Sequence, residues 1–290
     1  MKLVTFQHAG RVHYGAVKNG KVIDLSVRMG AQYPDLVSFI AHQGQEVAAN
    51  IVAQNSGDYD YEHLDLLPVI HNPAKILCVG LNYHDHVTEA NNAVGNRKVP
   101  DRAMIFARWP ESLTAHQKPI LRPRVSHMLD WEAELLVVIG KPTGRYLSKD
   151  KVFDHIFGYS CFNEACIRDY QRHSSQINPG KNFEKTGSSG PWLVTADEIP
   201  DPMNLNIEMR LNGTVMQKAN TAQMIHSIQS TIEYITEWMP LQPGDLIATG
   251  TMGGVGFART PPIFMKPGDI AEVEIEGIGV LRNTIEDERI

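Results

Sequence analysis

The segment LDWEAELLVVIG, residues 129–140, sets two glutamates in a run that otherwise reads as a buried strand. A strand sends residues i and i+2 to one face, so Glu132 and Glu134 stand side by side. Trp131, Ala133 and Leu135 take the opposite face, and Val137, Val138 and Ile139 continue as core. Two like charges beside a core are unfavourable unless something positive lies between them. A hard divalent cation answers that need, and a carboxylate set favours Mg²⁺, Mn²⁺ or Ca²⁺ over zinc. Glu164, in CFNEACIRDYQ, offers a third ligand. The ordinary alternative is a solvated stripe, and IAEVEIEG at residues 270–277 supplies the contrast. There Glu272, Glu274 and Glu276 alternate with Ala271, Val273 and Ile275, as on a sheet with one wet face.

A second constellation lies in GLNYHDHVTEANN, residues 80–92. On a helix starting near Asp85, His86 and Glu89 are i, i+3 and share a face, whereas His84 points away from Glu89. A carboxylate that orients an imidazole and stabilises its charged form makes a base suited to neutral pH. The plain alternative is a surface pair contributing a few tenths of a kcal/mol. The glycines of ATGTMGGVG, residues 248–256, let backbone N–H groups approach an anion. Their spacing is neither a Walker loop nor GxGxxG. Lys181, after a Pro-Gly turn, could stabilise an oxyanion beside a metal. Arg108 could hold a carboxylate through two N–H groups, a surface position being the alternative. His116, His127, His173 and His226 carry no spacing signal.

The elements that must position these groups are mostly strands. Asn19-Gly20 and Asn212-Gly213 each suit a type I′ hairpin turn, and Pro-Gly-Asp turns at residues 243–245 and 267–269 each launch a strand. One amphipathic helix is expected over residues 222–239, stopped by Pro240, with others starting near Ser148 and Asp85. The prolines of LPVIHNPAK place a boundary between a small N-terminal domain, residues 1–70, and a larger one, residues 71–290. The fold class is α+β and β-dominated, not doubly wound. The 290 residues have 42% apolar content and a net charge of −6, which argues against nucleic acid or an acidic membrane surface as partner. No run reaches the roughly 18 apolar residues of a membrane span. Cys78, Cys161 and Cys166 lack paired spacing, which fits reduced thiols in a cytoplasmic protein without a zinc site.

Taken in order, KILCVGLNYHDHVTEA, LDWEAELLVVIGK, GYSCFNEACIRDYQ, PGKNF, GPWLVTADEIPDP, LQPGDLIATGT and KPGDIAEVEIEGIGVLRNTI resemble the fumarylacetoacetate hydrolase family. The opening MKLVTFQHAGRVHYGAVKNGKVIDLS resembles the small N-terminal domain of its longer bacterial members. The resemblance implies a mixed β-sandwich roll, a bound Mg²⁺ or Mn²⁺, and a homodimer. It places the metal carboxylates on Glu132, Glu134 and Glu164, where members often carry aspartate at the third position. It puts the catalytic groups on His86, Glu89 and Lys181. Substrate contacts fall on Gln171, Gly250 and Thr251, with Arg108 near a substrate-carboxylate position. Many members have proline after the threonine of the loop; this chain reads GTMGGVG.

The expected activity is hydrolysis of a carbon–carbon bond in an acylpyruvate or related diketo acid, a catabolic step with water activated by His86 and Glu89. The alternatives are decarboxylation of a 2-oxo acid such as oxaloacetate, and hydration or isomerisation of a 2-oxo-alkenoate. A non-catalytic cation-binding protein is a further reading. Residues 91–100, NNAVGNRKVP, are the expected lid.

Overall fold

The computed structural model describes residues 1–95, 99 and 101–289. The first segment carries β1 (Lys2–His8), β2 (Arg11–Lys18) and β3 (Lys21–Asp24), then α1 (Leu25–Met29), α2 (Leu36–Ala41) and α3 (Gln45–Gln54). Two short strands follow, β4 (Tyr59–Asp60) and β5 (Asp65–Leu67). Next, β6 (Ile76–Gly80) leads into α4 (His84–Val94), and β7 (Met104–Arg108), β8 (Leu113–Ala115) and β9 (Ile120–Arg122) come after it. The centre of the chain holds β10 (Leu129–Asp130), β11 (Ala133–Ile139), β12 (Ile156–Asn163) and β13 (Cys166–Ile167). Two one-turn helices, α5 (Arg168–Gln171) and α6 (Asn178–Lys181), precede β14 (Gly187–Thr195). The chain ends with β15 (Asn206–Leu211), β16 (Thr214–Asn220), α7 (Ile228–Trp238), β17 (Leu246–Ala248), β18 (Ile270–Ile275) and β19 (Gly279–Asp287). This is the β-dominated α+β class that the sequence leads one to expect.

Local chemistry accounts for the turns. Asn19 and Gly20 have φ of 51° and 74°, Asn212 and Gly213 52° and 78°, as two type I′ turns require. In the Pro-Gly-Asp turns, Asp245 Oδ2 accepts from the Gln242 N–H at 2.7 Å and Asp269 Oδ2 from the Lys266 N–H at 2.9 Å. Each aspartate thereby closes the turn that launches β17 or β18. The amphipathic helix is shorter than its periodicity suggests. Ser227 caps α7 by accepting from the Ser230 N–H, and residues Thr221–Gln223 form a separate 3-10 turn with its own capping box. The stretch after Ser148 is 3-10 over Lys149–His155. α4 starts at His84, close to the expected Asp85.

A twelve-stranded sheet runs β4-β3-β2-β1-β14-β12-β11-β17-β6-β7, with β5 paired to β1 and β8 to β14. A five-stranded sheet, β16-β15-β18-β19-β9, packs across it. β11 is buried on both faces, which explains its unbroken apolar run. Its Leu135, Val137 and Ile139 share a core with Ile207, Met209, Val273 and Ile275 of the smaller sheet. Leu136 and Val138 pack with Leu36, Phe39 and Ile40 of α2 on the other side. β1 is antiparallel to β14, so the N-terminal strands extend the large sheet. The wet-face reading of β18 holds: Glu272 and Glu274 meet Arg210 at 3.3 and 2.6 Å.

β6 and β17 are parallel neighbours, and β11 runs antiparallel to β17 and β12. The C-terminal ends of β6, β17 and β12 therefore meet the N-terminal end of β11 along one edge, where strand hydrogen bonding stops and side chains converge. Gly158 fixes β12 against β14 at the other end of these strands: a Cβ there would lie 2.1 Å from the Val194 carbonyl oxygen. Gly158→Ala should destabilise the protein by about 2–3 kcal/mol through overpacking, read as a lower urea midpoint at unchanged slope. A midpoint equal to that of the wild type would contradict this packing.

Candidate metal and acid–base site

A break between β10 and β11 sets the geometry. β10 pairs with β13 and β11 with β12, leaving Trp131 and Glu132 opposite Glu164 and Ala165. The Glu164 N–H donates to the Glu132 carbonyl at 2.8 Å, and the Glu132 N–H to Asn163 Oδ1 at 3.1 Å. Glu132 and Glu164 thus face each other within one interruption, while Glu134 is the second residue of β11 beyond it. Carboxylate oxygens of Glu132, Glu134 and Glu164 all lie within 4.8 Å of one another, and all three residues are buried. This is the one such acidic group found among the described residues.

Cations from three elements compensate them. Lys181, at the end of α6, places Nζ 2.7 Å from Glu132 Oε2 and also bonds Glu164 Oε2. Arg168 opens α5 and reaches Glu132 Oε1 at 2.7 Å and Asp130 Oδ2 at 2.7 Å. Arg108 closes β7 and reaches Glu164 Oε1 at 2.6 Å. Burial disfavours every one of these charges, so pairing decides each outcome. Burial pushes Glu132 up, but Lys181 and Arg168 outweigh it and hold its carboxyl below the ordinary range. Burial wins at Glu164, whose pKa rises despite Lys181 and Arg108. Glu134 is pushed well above the usual value by burial and by Glu164 and Glu132. Burial lowers the Lys181 pKa, yet Glu132 and Glu164 raise it further, so Lys181 stays an ammonium.

Four buried carboxylates, Asp130 included, therefore face three buried cations. The unbalanced charge falls on Glu134, whose one hydrogen-bond partner among the described residues is the Gly250 N–H, 2.8 Å from Oε2. Clustered hard oxygens with a deficit of positive charge suit Mg²⁺, Mn²⁺ or Ca²⁺, as the E-x-E spacing indicates. Lys181 bridges the space between Glu132 and Glu164 in this arrangement, so cation entry and lysine position are coupled.

The histidine–glutamate pair is formed as expected. His86 Nδ1 is 2.7 Å from Glu89 Oε1 within α4. A carboxylate only accepts, so Nδ1 carries the hydrogen and Nε2 is left as the basic nitrogen. His86 lines the same cleft as Glu132, Glu134, Lys181, Arg168, Gln171 and Thr251. His84 is exposed.

The glycine loop does bind anions, but they are the protein's own carboxylates. Gly250 donates its N–H to Glu134, Gly254 to Glu89 Oε2 at 2.7 Å, and Gly256 and Phe257 to Asp130 at 2.7 and 3.0 Å. Gly250 has φ of 100°, and a Cβ there would lie 2.6 Å from Asn82 Cβ. Gly254 has φ of 105°, and a Cβ would lie 2.3 Å from the Met216 carbonyl oxygen. No side chain fits at either position. Thr251 reaches the cleft, with its hydroxyl accepting from Gln217 Nε2 at 2.8 Å.

Arg108 departs from both of its sequence readings. It is neither at the surface nor on the cleft wall: its guanidinium donates to Glu164, the Ala165 carbonyl, Thr186 and Ser112. A group so committed positions Glu164. Sequence reasoning missed Asp130 and Arg168. Asp130 was legible as the first member of an i, i+2, i+4 stripe with Glu132 and Glu134, which demands more than one positive partner. Arg168 is 2% exposed, lines the cleft, and has an Nη2 without a hydrogen-bond partner. Of the expected lid, residues 91–94 end α4; residues 96–98 and 100 lie outside the described residues.

Fold and site together define a β-roll protein with a buried carboxylate triad beside an acid–base pair. The family model for the C-terminal domain of fumarylacetoacetate hydrolase matches residues 75–286, and the chain belongs to that family. It is 35% identical to oxaloacetate tautomerase fahd2, mitochondrial, of Xenopus laevis over 98% of this chain and 90% of that one. Among solved structures it resembles an HpcE-like protein of Mycobacterium smegmatis, with TM-score 0.86 and 29% identity over the whole of both chains. It also resembles maleylpyruvate hydrolase from Sphingobium sp. SYK-6 in complex with manganese(II) and pyruvate, with TM-score 0.80 and 27% identity over the whole of both chains.

The raised pKa of Glu134 yields a pH prediction. A carboxyl raised above its unfolded value of 4.5 stabilises the fold most below that pH and loses the contribution as pH climbs through its folded value. A bound cation restores what deprotonation removes. The melting-temperature gap between Mn²⁺-loaded and metal-free protein should therefore widen from pH 4.5 upward, and the widening should be weaker in Glu134→Gln. A gap independent of pH would contradict the assignment.

Proposed function

We propose that the protein interconverts the enol and keto forms of a 2-oxo acid, with oxaloacetate as the leading substrate. The observation that carries this reading is the His86–Glu89 pair, with His86 lining the same cleft as Glu132 and Glu134. It is an acid–base device with no serine or cysteine nucleophile beside it among the described cleft residues. Glu132, Glu134 and Glu164 would hold the divalent cation, Mg²⁺ or Mn²⁺. When bound, that cation supplies Lewis acidity and a two-point hold for the carboxylate and keto oxygens of a 2-oxo acid.

The chain's own groups do the rest. His86 Nε2 removes a proton from C3 of the keto form and returns one in the reverse direction, with Glu89 stabilising the imidazolium between the two steps. The negative charge that develops at O2 is met by the Lys181 ammonium; solvent water protonates O2 to complete the enol, and the hydroxide left takes the proton from the His86 imidazolium, restoring water and the base. Arg168 Nη2 is free to receive a substrate carboxylate. The tautomerase name of a relative aligned over nearly the full chain supports proton transfer over bond cleavage. The second reading is hydrolysis of an acylpyruvate carbon–carbon bond, with His86 activating water; the maleylpyruvate hydrolase likeness favours it.

Stopped-flow loss of enol-oxaloacetate absorbance, with and without Mg²⁺ or Mn²⁺, tests the first reading. Wild type should accelerate conversion in a metal-dependent way. His86→Ala should lower kcat by about 10²–10⁴-fold while calorimetric metal affinity stays within about twofold. Equal rates in the variant would remove His86 from the mechanism. Metal-dependent release of pyruvate from acylpyruvates, without faster enol conversion, would favour the hydrolase.

A further inference from the structure

We propose that Arg172 receives a second carboxylate at the mouth of the cleft and so selects dicarboxylic over monocarboxylic 2-oxo acids. This rests on the reading of the cleft as a 2-oxo acid site. Arg172 lines that cleft beside Gln171 and Ile177, with its side chain on the solvent side. Its Nε donates to the Arg168 carbonyl at 3.1 Å, and its backbone N–H to the Asp169 carbonyl at 3.0 Å. The Nε tether holds the side chain back along α5 and leaves the outer pair, Nη1 and Nη2, uncommitted. No carboxylate among the described residues pairs with that outer pair. An arginine with Nε engaged and both Nη groups available is preorganised for a two-pronged carboxylate contact.

Charge accounting points the same way. The other basic residues of the cleft wall, Arg168 and Lys181, are bonded to Asp130, Glu132 and Glu164. A divalent cation turns the deficit of one positive charge into an excess of one, which a single substrate carboxylate cancels. With the inner carboxylate met by the cation and Arg168, a second carboxylate finds its countercharge in Arg172, the cleft arginine that no carboxylate of the described residues engages. It would lie toward water, where its desolvation is small.

The position is also fixed relative to the chemistry. A Cβ on Gly180 would lie 2.5 Å from the Gln171 backbone nitrogen, so α5 and α6 touch backbone to backbone. Lys181 follows Gly180 and Arg172 follows Gln171. The one contact therefore sets the spacing between the ammonium at the carboxylate triad and the guanidinium at the mouth. Lengthening either helix end would alter it.

The test compares oxaloacetate with acetylpyruvate, a 2-oxo acid with one carboxylate, in Mn²⁺-loaded wild type, Arg172→Gln and Arg172→Lys. For Arg172→Gln, the ratio of kcat/KM for oxaloacetate to that for acetylpyruvate should fall at least tenfold, carried by KM and not by kcat. Arg172→Lys, which keeps the charge and loses the fork, should fall between the two. A ratio within twofold of wild type in Arg172→Gln would overturn the proposal, as would a loss carried by kcat on both substrates. If wild type turns over neither acid, the enzymatic reading fails. The proposal is then decided by calorimetric binding of oxaloacetate against pyruvate to the same three proteins, with the same tenfold criterion.

Discussion

Three carboxylates held within a few ångströms of one another, out of contact with water, are the constraint around which this molecule is arranged. Mutual repulsion and desolvation both oppose ionising Glu132, Glu134 and Glu164 together. The fold answers with Lys181 from α6, Arg168 from α5 and Arg108 from β7, three elements whose side chains reach the same carboxylates. Even so, Glu134 keeps a single backbone donor and a raised pKa. That residual imbalance is the physical reason to place a divalent cation there. The register is the same on both sides of the break between β10 and β11, so Glu132 and Glu164 lie opposite each other within it.

The glycine loop after β17 ties this charged group to the acid–base pair. One short stretch donates backbone N–H groups to Glu134, Glu89 and Asp130, which belong to the triad, the dyad and the anchor of Arg168. Its positive-φ glycines are required by close approach to Asn82 and Met216, so the loop has little freedom to shift. A displacement that weakened the hold on Glu89 would be felt at His86 and, through Asp130, at Arg168. The positions of the acid–base pair and of the carboxylates are set by the same backbone.

Much of this was legible in the sequence because the signals were local. The i, i+2 glutamates, the i, i+3 His86–Glu89 pair and the two Asn-Gly turns each depend on spacing within a few residues, and each is formed. What was not legible depends on remote partners. Arg108 follows an apolar run and looks like a strand-end arginine. Its burial follows from Glu164, Thr186 and the Ala165 carbonyl closing around it. The glycine loop has the composition of an anion nest, but nothing local says that its anions are Glu89, Asp130 and Glu134. The helix expected over residues 222–239 was overextended for a simpler reason. The periodic isoleucines continue through a Ser227 cap, and hydropathy alone does not register a cap.

The central claim is that the triad is a cation site, with Lys181 yielding part of its place when the ion enters. Diffraction at the manganese absorption edge, from crystals grown with Mn²⁺, tests it directly. The account predicts one anomalous peak per chain, bonded to carboxylate oxygens of Glu132, Glu134 and Glu164, with the Lys181 ammonium withdrawn from at least one of them. An absence of density there, with Lys181 still bridging Glu132 and Glu164 in saturating metal, would contradict it.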